Sequence, residues 1–370
     1  MEKNIFIIAG EPSGDMRGAE LLAEFKKLVP NIPFWGIGGD LMKKQGVRLS
    51  YHIRDFSMIG IWEVLKKLVR IRKQYLNILR QIKQKKPSLA ILIDYPGFNL
   101  KIAKALHLQG IPVIYYIIPQ VWAWGEGRTK LLKKYTKKAL VLFDFEKTFL
   151  EKYNVNCEFT GHPLVDKVPA LVELPKDKQT FTVALLPGSR KNEILRLFPV
   201  MLDSALLLAQ KRKDLDFILA ENSNIDKNLY DKIIAQYPSL PLNRRKDNTF
   251  AVLNQCDFAM VTSGTATLET ALMEKPMVLM YKTSFLTAYL SRLFIKVKFL
   301  GLVNLIAGKE IAPEFLQENA VPEKISSKIL GMINNKSELS CIRKELIKVK
   351  LALGEKGAAK RAAEIIAQEL

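Results

Sequence analysis

One carboxylate directly follows a short run made only of apolar residues. The run covers residues 89–93 and predicts a buried strand, and Asp94 is the next residue. A carboxylate at the end of a strand can take a proton from a bound hydroxyl group, which is the role of a general base. Asp94 can equally be a cap or turn residue, because aspartate side chains bind nearby backbone N–H groups. The sequence therefore presents Asp94 as a candidate base and leaves a structural role open.

Two later turns place glycine and hydroxyl side chains at the start of a predicted helix. Backbone N–H groups at a helix N-terminus bind phosphate, and hydroxyl or guanidinium groups add hydrogen bonds. Either turn alone is a weak signal, but both follow predicted strands of one domain, so together they predict a site for a nucleotide diphosphate. Glu269, one turn into the second helix, is placed to accept hydrogen bonds from ribose hydroxyls. The predicted contacts are Gly188, Ser189, Arg190, Glu193, Ser263, Gly264, Thr265, Thr267 and Glu269.

A glycine-containing turn also follows the first predicted strand, at residues 5–8. The segment 9–18 lets the backbone turn tightly and approach a ligand, and the helix that follows favours anions. Its spacing matches neither the dinucleotide-binding fingerprint nor the Walker loop. A purely structural reading, in which Ser13 or Asp15 caps the helix, explains the segment equally well.

Two of the four tryptophans, Trp122 and Trp124, lie in one loop after a strand predicted at 112–118. They can line an acyl or sugar pocket, or they can pack the loop against its own sheet. His162 is more simply a hydrogen-bonded structural residue than a catalyst. The spacing of the three histidines predicts no metal site, and the three cysteines lack a CxxC pair.

Alternating strands and helices must position these groups. Wholly apolar strands separated by helical segments predict an α/β fold with parallel sheets covered on both faces. The alternation stops near residues 166–180 and then restarts, so we expect two Rossmann-like doubly wound domains facing a central cleft. The expected divisions are an N-terminal domain over 1–168, a C-terminal domain over 169–345, and terminal helices over 346–370 that can pack back on the first domain.

The charge balance favours an anionic partner. The 370 residues include 57 Lys and Arg against 37 Asp and Glu, a net charge of +20. Such a field attracts nucleic acid, an anionic membrane surface or phosphorylated substrates, although a lysine-rich surface also occurs in heat-adapted proteins. No recognised nucleic-acid module is present, so we expect no nucleic acid partner. A composition of 48% hydrophobic and 25% charged residues excludes a disordered or fibrous protein.

The segment 61–85 combines an apolar stripe with a cationic flank, in which Glu63 is the only acid. Such a helix suits an anionic bilayer interface, whereas periodicity alone favours an ordinary helix packed on the sheet. The basic segments 128–138 and 281–300 strengthen the membrane interpretation. No apolar run is long enough for an ordinary membrane-spanning helix, and we expect no secretory signal. The candidate acyl or membrane contacts are Trp62, Lys66, Lys67, Arg70, Trp122 and Trp124.

Taken together, the motifs resemble the lipid-A-disaccharide synthase family of GT-B glycosyltransferases. One departure is Gly97, where many relatives have a second acidic residue, so Asp94 is the only carboxylate in that motif able to act as a base. The matching segments occur in family order and are 9–15, 36–39, 58–64, 94–99, 119–124, 161–163, 186–190, 263–269 and 304–307.

The resemblance implies an inverting transfer from UDP-2,3-diacylglucosamine to 2,3-diacylglucosamine 1-phosphate, which gives the β-1,6-linked lipid A disaccharide 1-phosphate and UDP. The first domain would bind the acceptor and the second the UDP-sugar, with no metal or other cofactor. In that scheme Asp94 is the base, Glu11 or Ser13 orients a substrate, and Asn304 is a further contact to the donor sugar or phosphate.

The resemblance also implies a peripheral enzyme on the cytoplasmic face of the bacterial inner membrane, in contact with anionic lipids. The oligomeric state stays open, with a homodimer as one option. Two enzymatic alternatives are another GT-B transferase, such as one that uses UDP-N-acetylglucosamine, and a nucleotide-sugar epimerase. A cationic adaptor built on a decayed transferase is the non-enzymatic alternative, and the intact phosphate turns and Asp94 argue against it.

Overall fold

A computed structural model describes most of the chain as two compact units. One unit comprises Met1–Asp166 and Leu353–Leu370, and the other comprises Lys167–Ala352. No helix in the described part of the chain combines the length and the apolar content needed to cross a bilayer. Side chains of residues 63–70 are not described, and the described residues are 3–55, 63–123, 125–170, 179–246, 248–262, 264–283 and 297–370.

In its described residues, the first unit is built on seven strands and the helices between them. The strands are β1 (Ile5–Ala9), β2 (Phe34–Gly38), β3 (Arg48–His52), β4 (Leu89–Ile93), β5 (Val113–Tyr116), β6 (Lys138–Val141) and β7 (Cys157–Phe159). They form one sheet in the order β3-β2-β1-β4-β5-β6-β7, and every neighbouring pair is parallel. The helices are α1 (Pro12–Leu28), α2 (Asp40–Lys44), α3 (Glu63–Lys85), α4 (Pro96–His107), α5 (Arg128–Tyr135) and α6 (Asp144–Glu151).

The described part of the second unit repeats this plan with six strands, β8 (Phe181–Leu186), β9 (Leu215–Glu221), β10 (Leu242–Lys246), β11 (Phe258–Thr262), β12 (Met277–Tyr281) and β13 (Glu314–Leu316). The sheet order is β10-β9-β8-β11-β12-β13, again with parallel neighbours. Its helices are α7 (Lys191–Lys211), α8 (Lys227–Ile234), α9 (Thr249–Gln255), α10 (Thr265–Leu272), α11 (Leu302–Ala307), α12 (Pro322–Asn334) and α13 (Lys336–Ala352). The predicted pair of doubly wound α/β domains is confirmed.

Both faces of the central strands are buried. In β8, Val183 belongs to the core on one face of the sheet and its neighbour Ala184 to the core on the other, and both are fully buried. In β1, Phe6 and Ile8 face one core, while the alternate residue Ile7 points to the opposite side and is also fully buried. This pattern explains why the central strands are almost wholly apolar, with threonine as the polar residue at Thr182 of β8 and Thr262 of β11, since each side chain meets a covering helix.

Each sheet changes its direction of winding between two central strands. In the first unit, successive strands run outward from β1 on one side and from β4 on the other, and Ala9 lies beside Ile93. In the second unit the corresponding pair is β8 and β11, in which Leu186 lies beside Val261. Ligands of such folds bind at the carboxyl ends of the strands at this point. The two positions therefore locate the candidate sites.

The chain ends on the unit in which it begins. The last helix, α14 (Ala358–Gln368), packs against α1. The Nε–H group of Arg361 donates to the carbonyl of Thr160 over 2.9 Å, and the backbone N–H of Gly357 donates to the carboxylate of Asp166 over 2.6 Å. These bonds attach residues after 352 to the first sheet, whereas α13 belongs to the second unit.

Asp15 joins α1 to the start of α2. Its buried carboxylate accepts hydrogen bonds from the backbone N–H groups of Gly39, Leu41 and Met42, at 2.6, 3.1 and 3.1 Å. The N-terminal N–H groups of a helix have no partner within the helix, so a carboxylate from another segment satisfies them. Asp15 is therefore a structural cap for α2, and α1 itself has no side-chain cap.

We predict that Asp15→Asn lowers the free energy of unfolding by about 1–3 kcal/mol, because a carboxylate that binds three buried or partly buried N–H groups is replaced by an amide. Urea denaturation measures the change. Asp144→Asn is the matched control, since Asp144 is also in the first turn of a helix but is exposed. Equal stability changes in the two variants would contradict the capping role.

Candidate functional site

Asp94 sits in a strained turn at the end of β4. Asp94 and Tyr95 have φ values of 47° and 49°, so two consecutive residues with a Cβ adopt the left-handed conformation. Such strain is found mostly at functional sites, where the surrounding structure holds it in place. Here the carbonyl oxygen of Asp94 accepts hydrogen bonds from the Tyr115 hydroxyl at 2.7 Å and from Asn99 Nδ2 at 2.8 Å.

The turn after β1 lies beside the turn after β4. Gly10 packs against the ring of Tyr95 so closely that a Cβ on Gly10 would lie 2.3 Å from the ring carbon Cγ. Glu11 follows as the exposed N-cap residue of α1, and its side chain makes no capping bond. Ser13 is exposed in the first turn of the same helix. The parallel pairing of β1 with β4 therefore brings Glu11 and Asp94, which are 83 positions apart in the sequence, to one edge of the sheet.

The surroundings of Asp94 raise its affinity for a proton. Burial is the main cause of its raised pKa, the negative charge of Glu11 adds to the effect, and the backbone N–H of Tyr95 opposes it. Burial and Glu11 also raise the pKa of the Tyr95 phenol. A carboxylate with a raised pKa is a stronger base in its ionised form, which suits the predicted role of Asp94.

A cavity of about 630 Å³ opens beside this pair of turns. Its apolar lining includes Leu41, Ile53, Ile71 and Tyr95. Its charged or titratable lining includes Glu11, Asp40, His52 and Arg54. Arg54 and Asp40 form an ion pair at 2.6 Å. The cavity lining thus combines apolar and polar side chains next to a candidate base, which fits a substrate with both hydrocarbon and polar parts.

The predicted phosphate turn of the second unit is occupied by a side chain of its own helix. Gly188 has a φ of 109°, which favours glycine. The carboxylate of Glu193 accepts hydrogen bonds from the N–H groups of Ser189 and Arg190 at 3.1 and 3.3 Å, and from Arg190 Nη1 at 3.0 Å. The Arg190 side chain is 81% exposed. A bound anion can therefore meet the guanidinium directly, but it reaches the N–H groups only by displacing Glu193.

The second turn lies at the carboxyl end of β11, beside the first. Thr265 is exposed at the start of α10, whereas the buried Thr267 donates its hydroxyl to the carbonyl of Gly264 over 2.8 Å. Ser263 lies outside the described residues. Thr262 opens the same motif in the sequence, and its buried hydroxyl has no hydrogen-bond partner in the described part of the chain.

Glu269 and Asn304 have different environments. Burial is the main cause of the raised pKa of Glu269, and the positive charge of Lys167 lowers it. Asn304 is fully buried, and Nδ2 donates to the carbonyl of Ala312 and to Glu314 at 2.7 and 2.9 Å. Its Oδ1 accepts two backbone N–H groups, from Ile311 and Ala312. A contact from Asn304 to a sugar or phosphate would require one of these bonds to open.

Trp122 is held by a buried acid. Its indole N–H donates to Oε1 of Glu146 over 3.0 Å, and its ring packs edge-on against Phe145 with centroids 5.2 Å apart. Burial raises the pKa of Glu146 to about 7, and its three hydrogen bonds oppose that rise. His162 is buried, and burial and the charge of Arg17 lower its pKa to about 3, so it is neutral near pH 7. Trp124 and Trp62 lie outside the described residues.

The described part of α3 uses its apolar stripe for packing. Ile78 and Ile82 are fully buried in the core of the first unit, and Ile71, Tyr75 and Leu79 pack against that core. The apolar stripe from residue 71 onward is therefore not available to a bilayer. This arrangement agrees with the interpretation of this segment as an ordinary helix packed on the sheet. The side chains of Lys66, Lys67 and Arg70 are not among those described. In the described residues, no cluster of three or more His, Cys, Asp or Glu could hold a metal ion.

The sequence of the chain matches one protein family over nearly its whole length. A model of the family described as "Lipid-A-disaccharide synthetase" matches residues 5–370. The lipid-A-disaccharide synthase of Syntrophus aciditrophicus is 39% identical over 98% of this chain and 96% of the relative. That of Geobacter metallireducens is 38% identical over 100% of this chain and 97% of the relative.

Solved structures with the same fold include glycosyltransferases and epimerases. Acinetobacter baumannii MurG has a TM-score of 0.64 and 12% identity, with all of both chains covered. The UDP-GlcNAc 2-epimerase of Neisseria meningitidis, bound to UDP-GlcNAc, has a TM-score of 0.57 and 11% identity, with 100% of this chain and 99% of that chain covered. At this identity the likeness shows the fold alone, which is the GT-B type.

We predict that the pH dependence of stability reports the buried Glu146. The folded state keeps the proton on Glu146 up to about pH 7, whereas the unfolded chain loses it near the ordinary value of 4.5. Ionisation in this window therefore favours unfolding, and the wild type loses about 3 kcal/mol relative to Glu146→Gln as the pH rises through it.

Urea denaturation at pH 5 and at pH 7.5 measures this difference. The variant also loses an acceptor for backbone N–H groups, but that loss does not depend on pH. Glu364→Gln, a surface change on α14, is the control for other titrations. A wild-type-to-variant difference that stays constant between the two pH values would contradict the prediction.

Proposed function

The chain belongs to the lipid-A-disaccharide synthetase family, and is thus a glycosyltransferase of lipid A biosynthesis; on that premise we propose that it joins UDP-2,3-diacylglucosamine to 2,3-diacylglucosamine 1-phosphate. The products are the β-1,6-linked lipid A disaccharide 1-phosphate and UDP, and the configuration at the anomeric carbon inverts. The observation that carries this proposal is the strained Asp94 at the end of a central strand, beside Glu11 and a cavity that is partly apolar.

Asp94 is the proposed general base. It takes the proton of the acceptor's 6-hydroxyl while that oxygen attacks the anomeric carbon of the donor from the face opposite UDP. The bond from the anomeric carbon to UDP breaks, UDP leaves with the electron pair, and the proton remains on the Asp94 carboxyl group. The raised pKa of Asp94 supports this role, and Glu11 and Ser13 would orient the substrates. The apolar residues of the cavity lining suit an acyl chain.

The second unit would bind the donor. Arg190 would stabilise the negative charge that develops on the leaving diphosphate, because its guanidinium is exposed at the N-terminus of α7. The N-terminus of α10 adds partial positive charge, with the hydroxyl of Thr265 beside it. Glu269 would accept hydrogen bonds from the ribose. The N–H groups of Ser189 and Arg190 would join the site when Glu193 gives way.

The location that we propose is the cytoplasmic face of the bacterial inner membrane, since both substrates carry acyl chains. Three neighbouring helices of the first unit support the contact with anionic lipids. Helices α3, α4 and α5 pack in series, and their only acid is Glu63. We call their exposed basic residues the cationic face, which consists of Arg72, Lys73, Arg80, Lys83, Lys85, Lys101, Lys104, Lys130, Lys133 and Lys134.

Transfer assays test the proposed reaction. We expect the wild type to release UDP and form the disaccharide from the acylated donor, and not from UDP-N-acetylglucosamine. Asp94→Asn should bind UDP as the wild type does but transfer on the order of 10²–10⁴-fold more slowly, because the base is lost. Mass analysis of the lipid product and a UDP-release assay measure both.

The control for this variant is Glu11→Gln, which removes the neighbouring charge and keeps Asp94. It should retain far more activity than Asp94→Asn. Near-normal turnover by Asp94→Asn together with an inactive Glu11→Gln would move the base to Glu11. Transfer from the non-acylated donor would instead indicate another GT-B reaction.

We predict that the protein floats with vesicles that contain anionic phospholipid at low salt, and is released as salt screens the charges. The double variant Lys101→Glu/Lys104→Glu, in the middle of the cationic face, should lose most of this binding. Arg343→Glu/Lys344→Glu on α13 makes the same change in net charge elsewhere and should bind like the wild type. Equal binding by both double variants would contradict a specific cationic face.

A further inference from the structure

The turn that carries Asp94 is held by two side chains that belong to neither predicted substrate site. We propose that Asn99 and Tyr115 are positioning residues that aim the Asp94 carboxylate through hydrogen bonds to the backbone of its turn. The proposal rests on the role of Asp94 as the general base. It adds two residues to the machinery of the reaction, although neither would touch a reacting atom.

Asn99 directs its donor group at the turn. It lies in the first turns of α4 and is fully buried. Its Nδ2 donates to the carbonyl of Ile93 at 3.1 Å and to the carbonyl of Asp94 at 2.8 Å. Its Oδ1 accepts no hydrogen bond from the described residues. Burying an unsatisfied amide oxygen is costly, so the benefit of this asparagine comes from its donor group.

Tyr115 provides a second hydrogen bond to the turn, from the neighbouring strand. It lies on β5, which pairs with β4, and its hydroxyl donates to the carbonyl of Asp94 at 2.7 Å. Both acceptor directions of that carbonyl oxygen are then occupied, one from α4 and one from β5. The peptide group after Asp94 therefore has one orientation within the described structure.

These hydrogen bonds matter because the backbone conformation at Asp94 and Tyr95 is unfavourable in itself. A left-handed φ at Asp94 and at Tyr95 persists only while the surroundings outweigh its strain. Without the two hydrogen bonds, the turn can relax toward an extended conformation. Relaxation rotates the Cα–Cβ bond of Asp94 and swings its carboxylate away from its present direction. Misplacement of a base by about 1 Å is enough to reduce the rate of catalysis strongly.

Tyr115→Phe is the sharpest test, because it removes one hydroxyl and leaves the ring in the core. Tyr116→Phe is a matched control, since Tyr116 is the next residue of β5 and is fully buried, but its hydroxyl has no partner in the described residues. We expect Tyr115→Phe to lower kcat about tenfold relative to Tyr116→Phe, with the KM for UDP-2,3-diacylglucosamine unchanged. Thermal unfolding of both variants shows whether either is merely less stable.

The pH profile of kcat/KM distinguishes a misplaced Asp94 carboxylate from a smaller amount of folded protein. The charge of Glu11 at the start of α1 and the backbone N–H of Tyr95 act on Asp94, the charge of Asp94 acts on Tyr115 of β5, and Arg128 at the start of α5 lies near Tyr115. A relaxed turn exposes Asp94 to water and separates it from Glu11, so its pKa falls toward the ordinary value. The acid limb of kcat/KM should then move to lower pH in Tyr115→Phe and stay in place in Tyr116→Phe. A loss of folded protein would instead scale the rate equally at every pH.

Asn99→Leu provides a second, larger change, because it removes the donor to both carbonyl groups. We expect Asn99→Leu to lower kcat more than Tyr115→Phe does. In the double variant, kcat should fall by less than the product of the two single-variant factors, because both residues act on one turn. If the wild type is active but Tyr115→Phe and Tyr116→Phe have the same kcat and the same pH profile, the positioning role is overturned and the proposed reaction is not. A wild type without transfer activity would overturn the proposed reaction and this inference with it.

Discussion

Burial of apolar strands on both faces of two parallel sheets is the constraint on which the rest of this structure depends. Because each face must be covered, the chain crosses between strands through helices, and every strand of a sheet points the same way. All carboxyl ends of the strands then lie at one edge, where helix N-termini also begin. Polar residues that follow the strands reach that edge of their own sheet without any attraction between them, as Asp94 and Glu11 do in the first unit and Arg190 does in the second.

Polar residues at these edges have two kinds of task. Asp15, Glu193 and Asn304 bind backbone N–H groups that would otherwise lack partners, and they stabilise the turns. Glu11 is exposed and makes no capping bond, the Arg190 side chain is exposed, and the half-buried Asp94 carboxylate accepts a hydrogen bond from the N–H of Tyr95. The division follows a simple physical rule, because an acceptor that already binds several N–H groups has little capacity left for a ligand. It separates supporting residues from candidate ligands within motifs that look uniform in sequence.

Prediction from sequence succeeded for the sheet centres and was weaker at their edges. The apolar runs at 5–8, 89–93 and 258–261 indicated β1, β4 and β11 closely, since a strand buried on both faces must be apolar. Edge strands β3, β10 and β13 are not wholly apolar, because one side of an edge strand meets solvent, and the apolar criterion passed over them. The same limit applies to α3, where periodicity identified the apolar stripe and could not say whether a sheet or a membrane covers it.

The sequence by itself determined the α/β class, the two domains, the family and the candidate residues, because strand burial and motif order are written in local residue patterns. Only the tertiary structure decided how those residues are used. The pairing of β1 with β4 and of β8 with β11 joins segments far apart in the chain, which no local pattern specifies. Three features depend on the folded arrangement: the backbone strain at Asp94, the occupation of one turn by Glu193, and the hydrogen bonds from Asn99 and Tyr115 to the turn at Asp94. Such contacts arise from distance and direction in space, so they exist only once the chain has folded.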